Sequence, residues 1–470
     1  MPTAASTAAV AAAVAMAVPL LTAGYAPGTA TAATTTNAAA AAAAVPSGTV
    51  FVQSAVNGLN AADTGSGIAM HRPKGNEDRQ QWSVSAASST GPSGRYELRS
   101  TDAPARCLGR SGDRAAVVAC GSAEAAWTIT PAPDGTYTLT VPGTATHLAL
   151  APASGGVHPE QPVLASGGSL ARWYLTPSPL PRTALPPADQ RRLDQVTFLT
   201  AHNAYANGVD GGYAPWYASV PNQARGINQQ LADGVRGFQL DIHQTPDGAI
   251  LCHNTCTWVS GPVALWVDLQ RIVDFLKAHP GEFVTVFLED YVSADVLRAE
   301  LERVRGLDEV LFRPDREGVR EKGWPTMGEL RSRGKQLMIF SDRTRSDDGG
   351  ARESFGVMYQ RDWTVENYWS MGSGLGSSDW SCYSRWYGGG VNIPLTRKEP
   401  GFRPLFVMNH FRDVPITATA SADNSKILNR AENFCAPAAR KKPNYLAVDH
   451  YHLGNPASAV ERLNSYDVAP

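Results

Sequence analysis

The stretch Gly234–Cys256, GVRGFQLDIHQTPDGAILCHNTC, alternates through its middle. Phe238, Leu240 and Ile242 leave an extended chain on one side, and Gln239, Asp241 and His243 on the other, because successive side chains of a strand project to opposite faces. The pattern predicts a strand over Arg236–His243 with one apolar face and, on its reverse, an amide, a carboxylate and an imidazole. A Thr245-Pro246-Asp247-Gly248 turn follows. A second apolar run, Ala249–His253, then delivers another histidine.

Outward from that stretch, apolar runs of strand length alternate with amphipathic segments from Pro181 onwards, the texture of an α/β unit. The other expected strands are Val196–His202, Phe283–Glu289, Gln336–Ser341, Phe355–Tyr359, Leu405–His410 and Asn444–His450. Helices are expected at Ile227–Asp233, Val267–Ala278 and Ala294–Arg305. Eight strands in this arrangement predict an irregular (β/α)8 TIM-type barrel over residues 188–470. Only five residues separate His243 from Ala249, too few for a crossover helix, so one helix is expected to be missing.

Residues 47–180 read as short strands broken by Gly, Ser, Pro and Asp, an all-β domain. Trp82 (in QQW), Trp127 (EAAW) and Trp173 (LARW) recur 45 and 46 residues apart, the period of a three-fold β arrangement. Ahead of it, Ala8–Leu21 is an apolar run followed by Ala30-Thr31-Ala32, so residues 1–32 read as a signal peptide and 33–46 as an Ala/Thr-rich linker. A secreted, extracellular protein is expected. Its six cysteines then suggest three disulfides, for which chain order favours Cys107–Cys120, Cys252–Cys256 and Cys382–Cys435. The net charge of −2 has no basic run within it, which argues against nucleic acid as a partner.

The strand ends concentrate the chemistry. They carry His202-Asn203, Asp241-Ile242-His243, His253, Glu289-Asp290, Ser341-Asp342-Arg343, Asn409-His410 and Asp449-His450. One such residue is an ordinary loop or capping group, but a ring of them at one end of a barrel is an active site. Asn203, Asp241 and Glu289 are hard oxygen donors of the kind Ca²⁺ takes. His202 and His253 can move protons near neutral pH. A cation with an acid/base pair suits attack on a phosphodiester.

In order, LTAHNAY, GVRGFQLDIH, LCHN, FLED and GWPTMGELRSRGKQLMIF resemble the X-type catalytic barrel of phosphatidylinositol-specific phospholipases C, over roughly Leu193–Tyr466. The tryptophan repeats, with QQW and RCLGRSGDRAAVVAC, resemble the ricin-B-like β-trefoil family. That second resemblance implies carbohydrate as a partner of the trefoil, although Gly109 and Arg110 stand where that family has an acidic residue.

The phospholipase resemblance implies a phosphatidylinositol-type phospholipid, plain or glycosylated, at a membrane surface. Internal attack by the inositol 2-hydroxyl would release diacylglycerol and an inositol (cyclic) phosphate. Asp241, where the metal-free branch has an arginine, points to the calcium-dependent branch, with Asn203, Asp241 and Glu289 as Ca²⁺ ligands. Gln239 replaces a fourth, acidic ligand; its amide oxygen can still ligate but cannot act as a base. His253 is then the general acid. The base is His202 or Glu289, and His202 oriented by Asp449 is preferred. His243 and Arg343 are expected in the substrate pocket, His410 and His450 at the rim or in the core, and Trp216-Tyr217 at the lipid or buried. Two other readings compete. A glycerophosphodiester phosphodiesterase would want Glu at Gln239 and Arg at Asn203. A catalytically silent lectin-like binding protein would leave the work to the trefoil.

Overall fold

The computed structural model describes residues 44–75, 77–87, 94–152, 160–210, 221–253, 256, 263–388 and 391–468. The expected signal peptide, most of the linker, and Trp216-Tyr217 lie outside the described residues. No helix among the described residues is long and apolar enough to cross a membrane.

The opening stretch forms the longest strand of the α/β part. We label its strands β1 (Phe198–Ala201), β2 (Val235–Thr245), β3 (Gly248–Leu251), β4 (Val284–Tyr291), β5 (Leu337–Ser341), β6 (Val357–Tyr359), β7 (Thr364–Glu366), β8 (Leu405–His410) and β9 (Tyr445–Val448). All but β3 are parallel and lie in the order β6-β5-β4-β2-β1-β9-β8-β7. Helices at Ile227–Ala232, Leu265–Ala278 and Ala294–Glu302 match the three expected.

Two expectations are corrected here. Ala249–His253 is no barrel stave: β3 folds back antiparallel on β2, pairing Ile242 with Leu251 and Thr245 with Gly248. A five-residue link can only turn the chain round. The eighth parallel strand is instead Thr364–Glu366, whose three residues are too few to show an alternating pattern. The closed TIM-type barrel is not formed either. Among the described residues no pairing joins β6 to β7, so the eight strands make a curled parallel sheet open at that seam.

Alternation decides what each face of the sheet meets. Phe238, Leu240 and Ile242 are fully buried, in one apolar cluster with Ile227 and Leu231 of the preceding helix and Leu265, Leu269 and Ile272 of the following one. Inside the curl, Phe198, Phe287, Met338, Phe340, Met358, Leu405 and Tyr445 fill the lower layer with rings and thioethers. Towards the carboxyl ends of the same strands the side chains turn polar, at His202, Glu289, Asp342, Asn409 and Asp449. β1 and β2 pack so closely that a Cβ on Gly237 would lie 2.2 Å from Thr200 Oγ1, so only glycine fits.

The all-β part is trefoil-like. Six strands, Gly48–Ser54, Gln81–Ala86, Arg95–Ser100, Trp127–Pro131, Tyr137–Thr140 and Trp173–Pro177, pair in a closed ring. Hairpins Asn60–His71, Arg106–Ala119 and His147–Ala165 complete the three repeats. The repeated tryptophans are the reason for the symmetry. Trp82, Trp127 and Trp173 are fully buried, and their indole N–H groups donate to Ala61, Leu108 and Leu148 carbonyls at 2.9, 2.8 and 2.8 Å.

All three expected disulfides are formed. The trefoil-like part is seated on the α/β part: Cys382 N–H donates to Pro73 O at 3.0 Å and Gln53 Nε2 to Ala438 O at 2.9 Å. A Cβ on Gly75 would fall 1.3 Å from Asn433 O, so the two backbones touch there.

Phe340→Ala is expected to lower stability by about 3–5 kcal/mol, the usual cost of emptying a packed ring site. Trp127→Phe should cost about 1–3 kcal/mol, because it leaves the Leu108 carbonyl buried without its donor. Urea unfolding of the full chain measures both, and a smaller loss for Phe340→Ala would contradict the layered core.

Candidate functional site

The polar layer above the aromatic one lines a cavity of about 700 Å³ at the carboxyl ends of the parallel strands. Parallel strands aim their last side chains at one rim. Thus β1 hands over to His202 and Asn203, β2 supplies Gln239 and Asp241, and β4 supplies Glu289. His253 enters from the segment after β3, and Asp342 from the end of β5.

His202 Nδ1 lies 2.8 Å from Asp449 Oδ1, at the end of β9. Asn222 Nδ2 donates to the same oxygen at 2.9 Å. The ring stacks on Phe411 at 3.5 Å between centroids, and Gln223 Nε2 holds the His202 carbonyl at 2.8 Å. With Nδ1 carrying the proton to Asp449, Nε2 is the nitrogen left to accept one. His253 is half-exposed, with Nε2 3.9 Å from Asp241 Oδ2. Burial lowers its pKa, and the neighbouring His202 adds to the effect.

Carboxylates crowd the opposite wall. Asp241 is held well above the usual carboxylate range by burial and then by Glu289, against the pull of the Tyr205 hydroxyl at 2.9 Å. Burial pushes Asp342 up to about 6. Glu289 accepts from the Tyr291 hydroxyl. A hydrogen-bonded chain crosses the floor: Gln239 Nε2 donates to Asn409 Oδ1 at 3.2 Å, and Asn409 Nδ2 to Glu366 Oε1 at 2.7 Å. Arg385 Nη1 donates to the same Glu366 oxygen at 3.0 Å. Gln360 Nε2 takes the other Glu366 oxygen at 2.9 Å. Because the Asn409 amide nitrogen is spent on Glu366, its oxygen must be the acceptor for Gln239. That fixes Gln239 with its own Oε1 buried and without a partner.

His202, Asn203, Gln239, Asp241, His253 and Glu289 therefore share one cavity, with Asp449 bonded behind His202. Asn203 holds its place at a strained φ of 42°. The two substrate candidates do not line that cavity. His243 stacks on Tyr291, its partner across the β2–β4 ladder, with ring centroids 4.5 Å apart. Arg343 turns out to Asp347 at 3.2 Å. His410 is a core histidine: its Nε2 meets the Asp423 carbonyl at 2.9 Å, and burial takes its pKa down to about 3. His450 is buried beside the Pro415 carbonyl at 3.0 Å.

Sequence reasoning did not find Arg385, Glu366, Gln360 or Asn222. Glu366 ends a strand too short to recognise, and the other three lie outside strands. The available signal was Arg385 in an otherwise neutral run between Trp380 and Val391.

Residues 189–364 match the PI-PLC X family model, and residues 78–165 the ricin-type beta-trefoil lectin domain-like model. A PI-PLC X domain-containing protein of Arabidopsis thaliana is 28% identical over 277 residues, covering 58% of this chain and 61% of that protein. An uncharacterised secreted protein of Arthroderma benhamiae is 24% identical over 256 residues, covering 51% and 54%. The chain thus spans little more than half the length of these relatives. Among solved structures, the phosphatidylinositol-specific phospholipase C of Staphylococcus aureus is 13% identical with a TM-score of 0.38, covering 59% of this chain and 94% of that one. The designed three-fold symmetric protein ThreeFoil is 20% identical with a TM-score of 0.22, covering 27% and 96%.

The hydrogen-bond pattern makes a spectroscopic expectation. In the neutral ring of His202, nitrogen NMR should find the proton on Nδ1, and Asp449→Asn should mix the two tautomers. A wild-type ring protonated on Nε2 would break the assignment of His202 and Asp449 as a pair.

Proposed function

We propose that this chain, which carries a PI-PLC X domain and a ricin-type lectin-like domain, is an exported phospholipase C. It would cleave phosphatidylinositol, plain or glycosylated, to diacylglycerol and a cyclic inositol phosphate. One observation carries the reading. A histidine oriented by a buried carboxylate faces a second histidine across a cavity lined by amide and carboxylate oxygens, and among the described residues no serine or free cysteine lines that cavity.

Internal attack needs no enzyme nucleophile, only a base, an acid and orientation. His202 Nε2 takes the proton of the inositol 2-hydroxyl, and the freed oxygen forms a bond to the adjacent phosphorus. The bond from phosphorus to the glycerol oxygen breaks, and His253 gives that oxygen its proton. The depressed pKa of His253 makes it the readier donor. Asp449 stabilises the charge that His202 acquires. Arg385 offers donors, and Glu366 acceptors, to the ring hydroxyls.

A hard divalent cation such as Ca²⁺ fits the donors present. Gln239 Oε1 is buried without a partner, and burial, with Glu289 beside them, drives Asp241 and Asp342 towards protonation. Asn203, Gln239, Asp241 and Glu289 would hold it, and its charge would stabilise the phosphoryl oxygens. Arg385 favours a second reading of the same chemistry. Its pKa is raised by Glu366, and Asp342 and Glu289 act on it too, so a guanidinium already serves this cavity.

Other features fit a lipid at an interface. Among the described residues the exposed large hydrophobics are Val209, Tyr291, Trp369, Leu375 and Val414. Of these, Trp369 and Val414 line the cavity itself, and Tyr291 ends β4 two residues beyond Glu289. Three disulfides and the apolar run Ala8–Leu21 suit export.

Phosphatidylinositol vesicles incubated with the full chain should release diacylglycerol. His202→Ala or His253→Ala should slow release by about 10²–10⁴-fold, the worth of one acid/base group. Release in Ca²⁺ that EDTA abolishes supports the metal reading, and equal release in EDTA supports Arg385. No release under either condition, with glycerophosphoinositol also intact, would discard the enzyme.

Cation binding has a readout apart from turnover. A carboxyl whose folded pKa is raised gives stability that is present at acid pH and lost as pH rises through the folded value, about 6 for Asp342. A cation offsets that loss. Ca²⁺ should therefore raise the melting temperature more above about pH 7 than below about pH 5. No shift at either pH would remove the metal site.

A further inference from the structure

A second cleft, of about 940 Å³, opens where the first trefoil-like repeat meets Met371–Ser381 of the α/β part. Neither part alone makes it. The trefoil side gives Arg72 and Lys74 on the segment after its first hairpin, and the α/β side gives Trp380, Ser378 and Lys426. Met70, Met371 and Phe434 complete an apolar floor.

The charges do not cancel. Arg72 lies over the Tyr383 ring at 3.9 Å and 3.7 Å from Asp379, so that carboxylate is already shared. Glu77 receives the Gln80 amide at 3.3 Å. Lys426 sits 5.8 Å from the Trp380 ring centre, and neither it nor Lys74 is within 4.0 Å of a carboxylate among the described residues. Both ammonium groups are exposed on the cleft. Lys74 acts on Asp379 at longer range. On a chain of net charge −2, the three cations Arg72, Lys74 and Lys426 against the two carboxylates Asp379 and Glu77 leave this concave surface locally positive.

The cleft also shares a wall with the catalytic cavity. Met371 N–H donates to Phe411 O at 2.9 Å, Asp413 N–H to Gly372 O at 3.1 Å, and Arg412 Nη2 to Ser378 Oγ at 2.6 Å. Trp369, Phe411 and Arg412 face the catalytic cavity on the other side of that wall.

We propose that this seam cleft is a binding site for a phosphate group, with Lys74 and Lys426 as its cationic arms. Point charges that can turn to a tetrahedral oxyanion suit phosphate. The apolar floor would take the carbon skeleton that bears it. The phosphate belongs either to a free phosphate compound or to the headgroup of an anionic phospholipid in the surface at which the neighbouring cavity opens.

The test uses the full chain and Lys74→Ala/Lys426→Ala, with Lys277→Ala/Lys322→Ala as a control that removes equal charge from residues outside the cleft. Inorganic phosphate is titrated calorimetrically. Phosphatidylcholine vesicles, with and without phosphatidylglycerol, are co-sedimented with each protein. The cleft variant should weaken binding by about tenfold or more while the control stays within about twofold of wild type. Loss confined to vesicles assigns the lipid headgroup, and loss that includes inorganic phosphate assigns the group itself. Equal loss in the control, or no loss in the cleft variant with its melting temperature unchanged, overturns the proposal. Single Lys74→Gln and Lys426→Gln variants, each expected to lose part of the affinity, settle the matter if the double variant is unstable.

Discussion

Period-two alternation along Val235–Thr245 is the constraint on which the rest depends. Phe238, Leu240 and Ile242 must be covered, and the apolar cluster they form with the helices Ile227–Ala232 and Leu265–Ala278 covers them. That leaves Gln239 and Asp241 no direction but inwards, where β1 and β4 flank them in parallel register. Register does the remainder. Asp241 stands opposite Glu289 across the ladder, so two carboxylates meet because two strands pair as they do. A one-residue slip of β2 would turn Asp241 to the helix side and leave Glu289 without its neighbour.

Such crowding is costly in a buried place, and the structure shows how the cost is distributed. Asp241 and Asp342 are pushed towards the neutral form, and Glu366 is satisfied by Arg385, Asn409 and Gln360. Gln239 belongs to this balance. A carboxylate at that position would add charge beside Asp241 and would lose the donor that reaches Asn409. The amide instead keeps a lone pair for the cavity and ties the strand to the floor.

The legible part of the molecule was the part with a period. Strands β2, β4, β5, β8 and β9 announce themselves by alternation or apolar runs, and the three tryptophans by their spacing. His202, Asp241, Glu289 and Asp449 were legible because strand ends in a parallel sheet converge whatever the loops do, and His253 because the short turn after β2 can only bring the next apolar run back beside it. The misses share a cause. Thr364–Glu366 is too short for a pattern, and without it the count of eight was filled by a hairpin arm. Arg385 and Asn222 reach the site on irregular segments, whose course depends on tertiary contacts such as the Cys382–Cys435 bridge. Arg343 was expected inside because it follows a strand, but Asp347, one helical turn on, offers it a nearer partner.

The contact of Gly75 with Asn433 reaches beyond packing. Where two parts of a chain meet through side chains, either face can drift and the other can follow by substitution. Here glycine backbone rests on carbonyl oxygen, and Pro73 accepts from Cys382, three residues before Arg385. Side-chain exchange has almost nothing to adjust there, whereas one inserted residue in Arg72–Gly75 would shift the segment that carries Arg385. The trefoil-like part is therefore not portable. Another trefoil spliced on in its place would have to inherit this loop length before it could inherit anything else.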